Sequence, residues 1–287
     1  MLSFLPNKLN NAILKLGIDN VSEIRIRSCC PVLIIKGGNK LFLDKFILSN
    51  FDIEEIILSV CKRSMYSYDE QIKQGYVTTD FGLRIGLSGE ANIVDGKIST
   101  IKNVNSICIR IPHFINGVSN EFFNKVYKEG SVLIISPPGV GKTTFLRDFT
   151  KNLSNNLNKN VVVVDERNEI ACKTGNNVFN LGKTVDVLTY FDKTFGLNQA
   201  LRTLNPEVVI VDELVTNSDV LGVIYAVFGG VNVIATAHAG SINDLFNRKF
   251  AKKIKDQKPF DYYVLITNEN GDRTYRYFDK NFRSICL

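Results

Sequence analysis

The sequence predicts an α/β fold with a parallel sheet over residues 126–287, preceded by a smaller N-terminal α+β domain over residues 1–125. Three observations predict this. Short apolar runs, VLII (132–135), VVVV (161–164), VVIV (208–211) and the more mixed NVIA (232–235), alternate with helical stretches. Each run is closed by a polar residue, the mark of strands buried on both faces of a parallel sheet. A glycine-rich loop follows the first run directly and a helical pattern follows the loop. Before about residue 125 the texture differs, with short β-rich runs separated by glycine punctuation that suggests hairpins.

In chain order, the N-terminal strands are EIRIR (23–27), PVLIIKGG (31–38), the run 75–93 and SICIRI (106–111). A helical pattern, DIEEIILSVCKR (52–63), separates the early strands from the later ones. HFING (113–117) and a short helix over 120–129 lead into the second domain. There the first strand opens onto a helix running to about Leu153. Val220–Ala237 is 18 residues without a charge, the lower edge of a membrane-spanning helix. Gly229–Gly230 and Asn232 interrupt it, so the reading is a helix (219–228), a tight turn and a buried strand (231–236), with no transmembrane segment. The segment LFNRKFAKKIKDQK (245–258) spaces Phe246, Phe250 and Ile254 as a basic amphipathic helix. Packing on its own domain is the first reading, and membrane-surface or subunit docking the second.

Composition sets limits. At 45% hydrophobic and 22% charged, the 287-residue chain is globular and long enough for two cores. Of the net charge of +6, the stretch 245–287 carries +5, a local basic surplus that fits phosphate, anionic lipid or an acidic subunit alike. The six cysteines (29, 30, 61, 108, 172, 286) have no CxxC or zinc spacing and read as reduced thiols of a cytosolic protein. The N-terminus lacks the continuous apolar core of a secretory signal.

The strongest chemical signal is SPPGVGKTT (136–144), a P-loop placed between strand and helix. Glycines let backbone N–H groups wrap a β-phosphate, a lysine reaches the β/γ oxygens and a hydroxyl holds Mg²⁺. Pro138, Gly139, Val140, Gly141, Lys142, Thr143 and Thr144 are the expected nucleotide-binding residues, and ATP and Mg²⁺ the expected ligands. Ser136 stands where the consensus begins with glycine, a position outside the close phosphate approach. The run VVIVDE (208–213) ends a strand in an acidic pair. Asp212 is expected to join Thr143 in orienting Mg²⁺, and Glu213 to polarise the attacking water as catalytic base.

A second strand, VVVVDERNEIA (161–171), ends in the same dipeptide. Asp165 and Glu166 are expected at the edge of the site with Arg167 as an internal partner; the competing reading is a capping and ion-pair cluster. VNVIATAHAGS (231–241) puts Thr236 and His238 at the end of the strand after the acidic pair. In P-loop ATPases of the additional-strand (ASCE) class a polar residue there senses the γ-phosphate, so the fold class is a RecA/ASCE-like P-loop NTPase. Arg202, Arg84 and Arg110 are candidates for charge on the transition state.

ALRTLNPEVVIVDEL (200–214) followed by TAHAGSINDL (236–245) resembles the ATPases of bacterial secretion and pilus systems. Their acidic box, Walker A, Arg-bearing Walker B and histidine box correspond to 165–166, 136–144, 202–213 and 236–241. The resemblance is closer still to the stage III sporulation AA family and covers nearly the whole chain. EIRIR…P (23–31), the stretch 66–91, ICIRIPH (107–113), LRD (146–148), DERNEIA (165–171) and FDYYVLI (260–266) carry it. NENGD (268–272) is a departure with no assigned role.

The resemblance implies a mother-cell cytoplasmic ATPase, held at the membrane through partners. These partners would be integral membrane components of a channel complex between mother cell and forespore during endospore formation. It also implies a homo-oligomeric ring, a hexamer, in which Arg84 and Arg110 approach nucleotide. Two other functions compete: an AAA-type adaptor on single-stranded nucleic acid, and a nucleotide-gated scaffold with little turnover. Plastid relatives carry an added nucleic-acid-binding module built around an arginine and a histidine. No histidine follows His238 here, and nucleic acid is not expected as a partner.

Overall fold

The computed structural model describes residues 2–18, 21–79, 83–111, 115–172, 180–269 and 272–287. The chain divides into two compact units, Met1–His113 with Cys172–Val178, and Phe114–Ala171 with Phe179–Leu287. The first two positions of the predicted connector, His113 and Phe114, lie outside the described residues.

The first unit is a six-stranded antiparallel sheet. Its strands are β1 (Val21–Arg27), β2 (Pro31–Lys36), β3 (Asn39–Ile47), β4 (Tyr76–Thr78), β5 (Arg84–Val94) and β6 (Lys97–Arg110), in the order β3-β2-β1-β6-β5-β4. Alternation puts Ile24 and Ile26 of β1 and Ile107 and Ile109 of β6 on the buried face. Helices α1 (Asn7–Lys15) and α2 (Asn50–Val60) contribute Leu9, Ile13, Ile53 and Ile56 to the same core, with Ile72 of α3 (Asp69–Lys73). A reciprocal cap between Ser49 and Asp52 starts α2, two residues before the predicted helix. Strand β3, which the sequence reading did not single out, is a largely exposed edge strand that carries apolar residues together with lysines at 40 and 45, residues suited to a free edge.

The second unit holds α4 (Asn120–Lys125), β7 (Val132–Ser136), α5 (Lys142–Leu157), β8 (Val161–Asp165), β9 (Val185–Thr189), α6 (Lys193–Thr203) and β10 (Val208–Val211). It continues with α7 (Asn217–Phe228), β11 (Asn232–His238), α8 (Ile242–Phe246), α9 (Lys252–Gln257), β12 (Tyr262–Glu269), β13 (Asp272–Asp279) and β14 (Ser284–Ile285). Its sheet runs β14-β13-β12-β7-β11-β10-β8-β9. Strands β12 to β9 are parallel, and β13 and β14 add an antiparallel flap to the free edge of β12. All residues of β7, β8 and β10 are buried, as their unbroken apolar runs predict. Strand β11 lies between β7 and β10, which is the additional-strand arrangement.

Helix α4 belongs to this second unit, so the division falls at 113/114 and not at 125/126. The reason is packing. Phe122 is fully buried among the rings of Phe145, Phe149 and Tyr277, with centroids 5.4–6.1 Å away. The uncharged run 220–237 divides into α7 and β11 around Gly229–Gly230, as predicted. No helix among the described residues is long and apolar enough to cross a membrane. The basic stretch 245–258 forms a 3₁₀ turn and two short helices in place of one, and buries Leu245, Ala251 and Ile254 against its own unit.

Candidate active site

Parallel strands deliver their carboxyl ends to one edge of the sheet, and the loops leaving β7, β8, β10 and β11 meet there. The P-loop leaves β7 at Ser136 and ends as Gly141 caps α5. Gly139 and Gly141 have φ of +75° and +120°, a region that side chains rarely adopt. Nothing lies within 4 Å of where a Cβ on Gly139 would stand, so the loop opens onto free space. With the N-terminus of a 16-residue helix behind it, this concavity suits phosphate oxygens.

Lys142 turns inward. It is 7% exposed, and burial draws its pKa below the ordinary lysine value, partly offset by Asp212, Glu213 and Glu169. Its Nζ lies 2.8 Å from His238 Nδ1. His238 Nε2 in turn stands 3.3 Å from Glu213 Oε1. One assignment satisfies both contacts: a neutral imidazole accepting from Lys142 at Nδ1 and donating from Nε2 to Glu213. Glu213 also meets Arg167 Nη1 at 3.3 Å. Sequence reasoning assigned Arg167 to the first acidic pair; the structure gives it to the second.

Glu213 has φ of +49°, an unusual backbone for a non-glycine residue. Thr236 holds it there. The Thr236 hydroxyl donates to Asp212 Oδ1 and accepts the Glu213 N–H at 2.8 Å, and its carbonyl accepts the Leu214 N–H at 2.7 Å. Thr236 is fully buried and its hydroxyl is committed to this pair. It therefore orients the acidic residues. His238 is 30% exposed and touches Lys142.

The first acidic pair divides its labour. Asp165 is 1% exposed; Oδ1 accepts from the Glu169 N–H, and Oδ2 from those of Ile170 and Ala171. Burial raises its pKa to about 6, against the lowering effect of those three bonds and with a further push from Asp212. Arg147 of α5 donates to the carbonyls of Ile170 and Glu169 and secures the same turn. Asp165 thus secures the loop through both carboxylate oxygens. Glu166 faces the site but is paired with Lys193 at 2.8 Å. Asp165, Glu166, Arg167, Lys193, Asp212 and Glu213 line one pocket. Lys193 went unnoticed in the sequence because nothing local marks it; only the fold brings the start of α6 to the end of β8.

Asp212 is half-buried, and Oδ2 has no hydrogen bond among the described residues. Thr143, half-buried in the first turn of α5, supplies a hydroxyl, and Thr144 follows it in the same turn. One hydroxyl and one free carboxylate oxygen beside a phosphate cradle fit Mg²⁺, which retains several waters and takes few protein ligands.

This site can be compared with known proteins. The chain matches the family Sporulation stage III, protein AA over residues 4–281. It is 34% identical to stage III sporulation protein AA of Bacillus subtilis over 96% of this chain and 94% of that protein. The chain belongs to this family. Among solved structures it resembles the ATPase DotB of Legionella pneumophila at a TM-score of 0.66 and 16% identity, over 96% of this chain and 81% of that one. The pilus retraction motor PilT, solved with ADP, gives a TM-score of 0.66 at 16% identity, over 94% and 81%. At such identity the likeness shows the fold, a P-loop ATPase fold of the secretion type.

The three other arginines expected in this member of the stage III sporulation AA family divide between the two units. Arg202 is exposed in the last turn of α6, ahead of the N-terminal end of β10, whereas the acidic pair leaves its C-terminal end. Its own chain's site does not receive it. Arg84 and Arg110 belong to the first unit, directly opposite each other on β5 and β6, with Arg84 over the Tyr76 ring at 3.9 Å. Glu23 of β1 stands opposite Arg110 on its other side, so a carboxylate accompanies the two like charges.

Proposed function

We propose that this protein binds Mg²⁺–ATP at the P-loop and hydrolyses it, working as a homo-oligomeric ring that energises a channel complex at a membrane between mother cell and forespore. The carrying observation is the chain of contacts Lys142–His238–Glu213, with Thr236 fixing the acidic pair. In this reading Gly139 through Thr144 hold the phosphates, and Lys142 leaves His238 to meet the γ-phosphate. Thr143 and Asp212 would hold Mg²⁺, which would supply positive charge to the phosphate oxygens. Glu213 takes the proton of the attacking water, held toward it by His238 and Arg167. Arg84 and Arg110, opposite each other on β5 and β6, come from a neighbouring subunit.

The basic C-terminal stretch favours this reading over nucleic-acid binding, because several of its cations are tied to its own fold. Arg248 pairs with Asp244, Arg276 with Glu269, and Lys258 with Asn281. The test is ATP turnover against protein concentration. Turnover per subunit is expected to rise as rings assemble and to fall by about 10²-fold in Arg84→Ala or Arg110→Ala. Turnover independent of concentration and of both arginines would remove the ring, and ATP binding without phosphate release would leave a nucleotide-gated scaffold.

A further inference from the structure

Strand β12 runs beside β7 up to Leu265, opposite Ile135, and then continues through Glu269, past the point where β7 becomes the P-loop. Strand β13 returns along this overhang, with Arg273 opposite Asn268 and Thr274 opposite Thr267. Residues on one face of β13 alternate, so Arg273, Tyr275 and Tyr277 form one row. That row lies along the start of α5 and its neighbours. The Tyr275 ring packs on Phe145 at 5.9 Å, and Tyr277 packs on Phe122 at 5.4 Å with its hydroxyl 3.2 Å from Glu121. The row thereby aims its first member at the P-loop.

Arg273 arrives with its guanidinium laid on Gly141. A Cβ built there would stand 3.3 Å from Cζ, 3.4 Å from Nε and 3.5 Å from Nη1. Gly141 is both the cap of α5 and the P-loop glycine whose neighbourhood receives phosphate. The guanidinium has no ion pair or hydrogen bond among the described residues, and the nearby carboxylate of Glu269 is taken by Arg276. An uncommitted cation therefore stands beside a helix N-terminus and Lys142, an arrangement that gains from an anion shared among them.

We infer that Arg273 is a phosphate-binding residue of the nucleotide site, contributed by the same chain through the β12–β13 hairpin. This rests on the nucleotide reading above. It differs from the arginine supply by a neighbour, since the hairpin, P-loop and α5 all belong to one unit. It gives a role to the hairpin, whose turn residues 270 and 271 lie outside the described positions. Gly141 has a φ of +120° that side chains rarely adopt, and a side chain there would also push the arginine aside.

The experiment measures equilibrium binding of ATP, ADP and inorganic tripolyphosphate to the full chain, comparing wild type with Arg273→Ala, Arg273→Lys, Arg276→Ala and Lys142→Ala. Arg273 is exposed, so its removal leaves the fold intact, as the circular dichroism spectrum would show. The expected result is about tenfold weaker binding of all three ligands in Arg273→Ala. Arg273→Lys should recover part of the loss, and Arg276→Ala should bind as wild type. Wild-type affinity in Arg273→Ala, with Lys142→Ala weakened, would overturn the assignment and leave the nucleotide reading standing. Weaker ATP binding with unchanged tripolyphosphate binding would also overturn it, placing the guanidinium on the base or ribose. A wild-type protein that binds none of the three ligands would defeat the nucleotide reading itself, and the role of Arg273 with it.

Discussion

Strands β8 and β10 are parallel neighbours with nearly the same text, VVVVDE and VVIVDE, and their residues pair Val161–Val208 through Val164–Val211. Asp165 and Asp212 therefore leave the sheet side by side, yet they meet opposite fates. Strand β8 has a further strand, β9, on its outer side, and Asp165 continues the ladder opposite Thr189 before folding a tight turn over its own carboxylate. Strand β10 is flanked by β11, whose Thr236 hydroxyl catches Asp212 and turns the chain so that Glu213 faces Lys142 and His238. An Asp-Glu pair at a strand end is a common solution to two problems, closing a loop and holding a metal. The neighbouring strand decides which one it solves.

Each prediction sets one strand end against the other. The largest effect is expected from Asp165→Ala, which removes the partner of three backbone N–H groups in a dry turn. At roughly 1–3 kcal/mol for each buried group left unsatisfied, the loss is on the order of 3–5 kcal/mol, read by urea unfolding. Asp212→Ala should cost less than about 1 kcal/mol in the same assay and should abolish the Mg²⁺ dependence of nucleotide binding. Equal destabilisation by the two would erase the distinction.

A second contrast is in pH. Asp165 has a folded pKa raised to about 6, so its protonated form is favoured by the fold. Stability from this group is fully present below the unfolded value near 4 and is lost as pH rises through 6, a change of roughly 3 kcal/mol. The difference in stability between wild type and Asp165→Asn should follow that slope across pH 4–6. Asp212→Asn should move the slope to lower pH, because Asp212 is one of the causes of the shift. A slope unchanged in both variants would contradict the burial argument.

The smallest effect on function belongs to Thr236→Val, a near-isostere that removes the hydroxyl joining Asp212 to the Glu213 N–H. It should cost about 1–2 kcal/mol of stability and about tenfold in turnover, with ATP affinity nearly kept. Strand β8 has no equivalent side-chain device to break, since its carboxylate bonds to backbone.

Much of this was legible in the sequence because it is local. A short apolar run, VLII, followed by a glycine loop and a helix names the P-loop strand, and unbroken apolar runs name β7, β8 and β10. The basic run 245–258 was legible as a packed face, although its helix is broken. What stayed hidden depends on lateral order. Nothing in VVVVDE says that β9 will cover its outer edge, and VDVLT is too mixed to announce itself as a strand. Arg167 was assigned to the nearer acidic pair because sequence distance favours it, but its partner, Glu213, is 46 residues away. Arg273 carries no local signal; its approach to Gly141 follows from how far β12 overruns β7.

The most direct test compares phosphate release from ATP by Glu213→Gln and Glu166→Gln, with bound nucleotide measured in both. The account predicts a loss of about 10²-fold or more in Glu213→Gln with ATP still bound, and a change within a few-fold in Glu166→Gln. Equal losses in both variants, or the larger loss in Glu166→Gln, would contradict it and move the catalytic role to the end of β8.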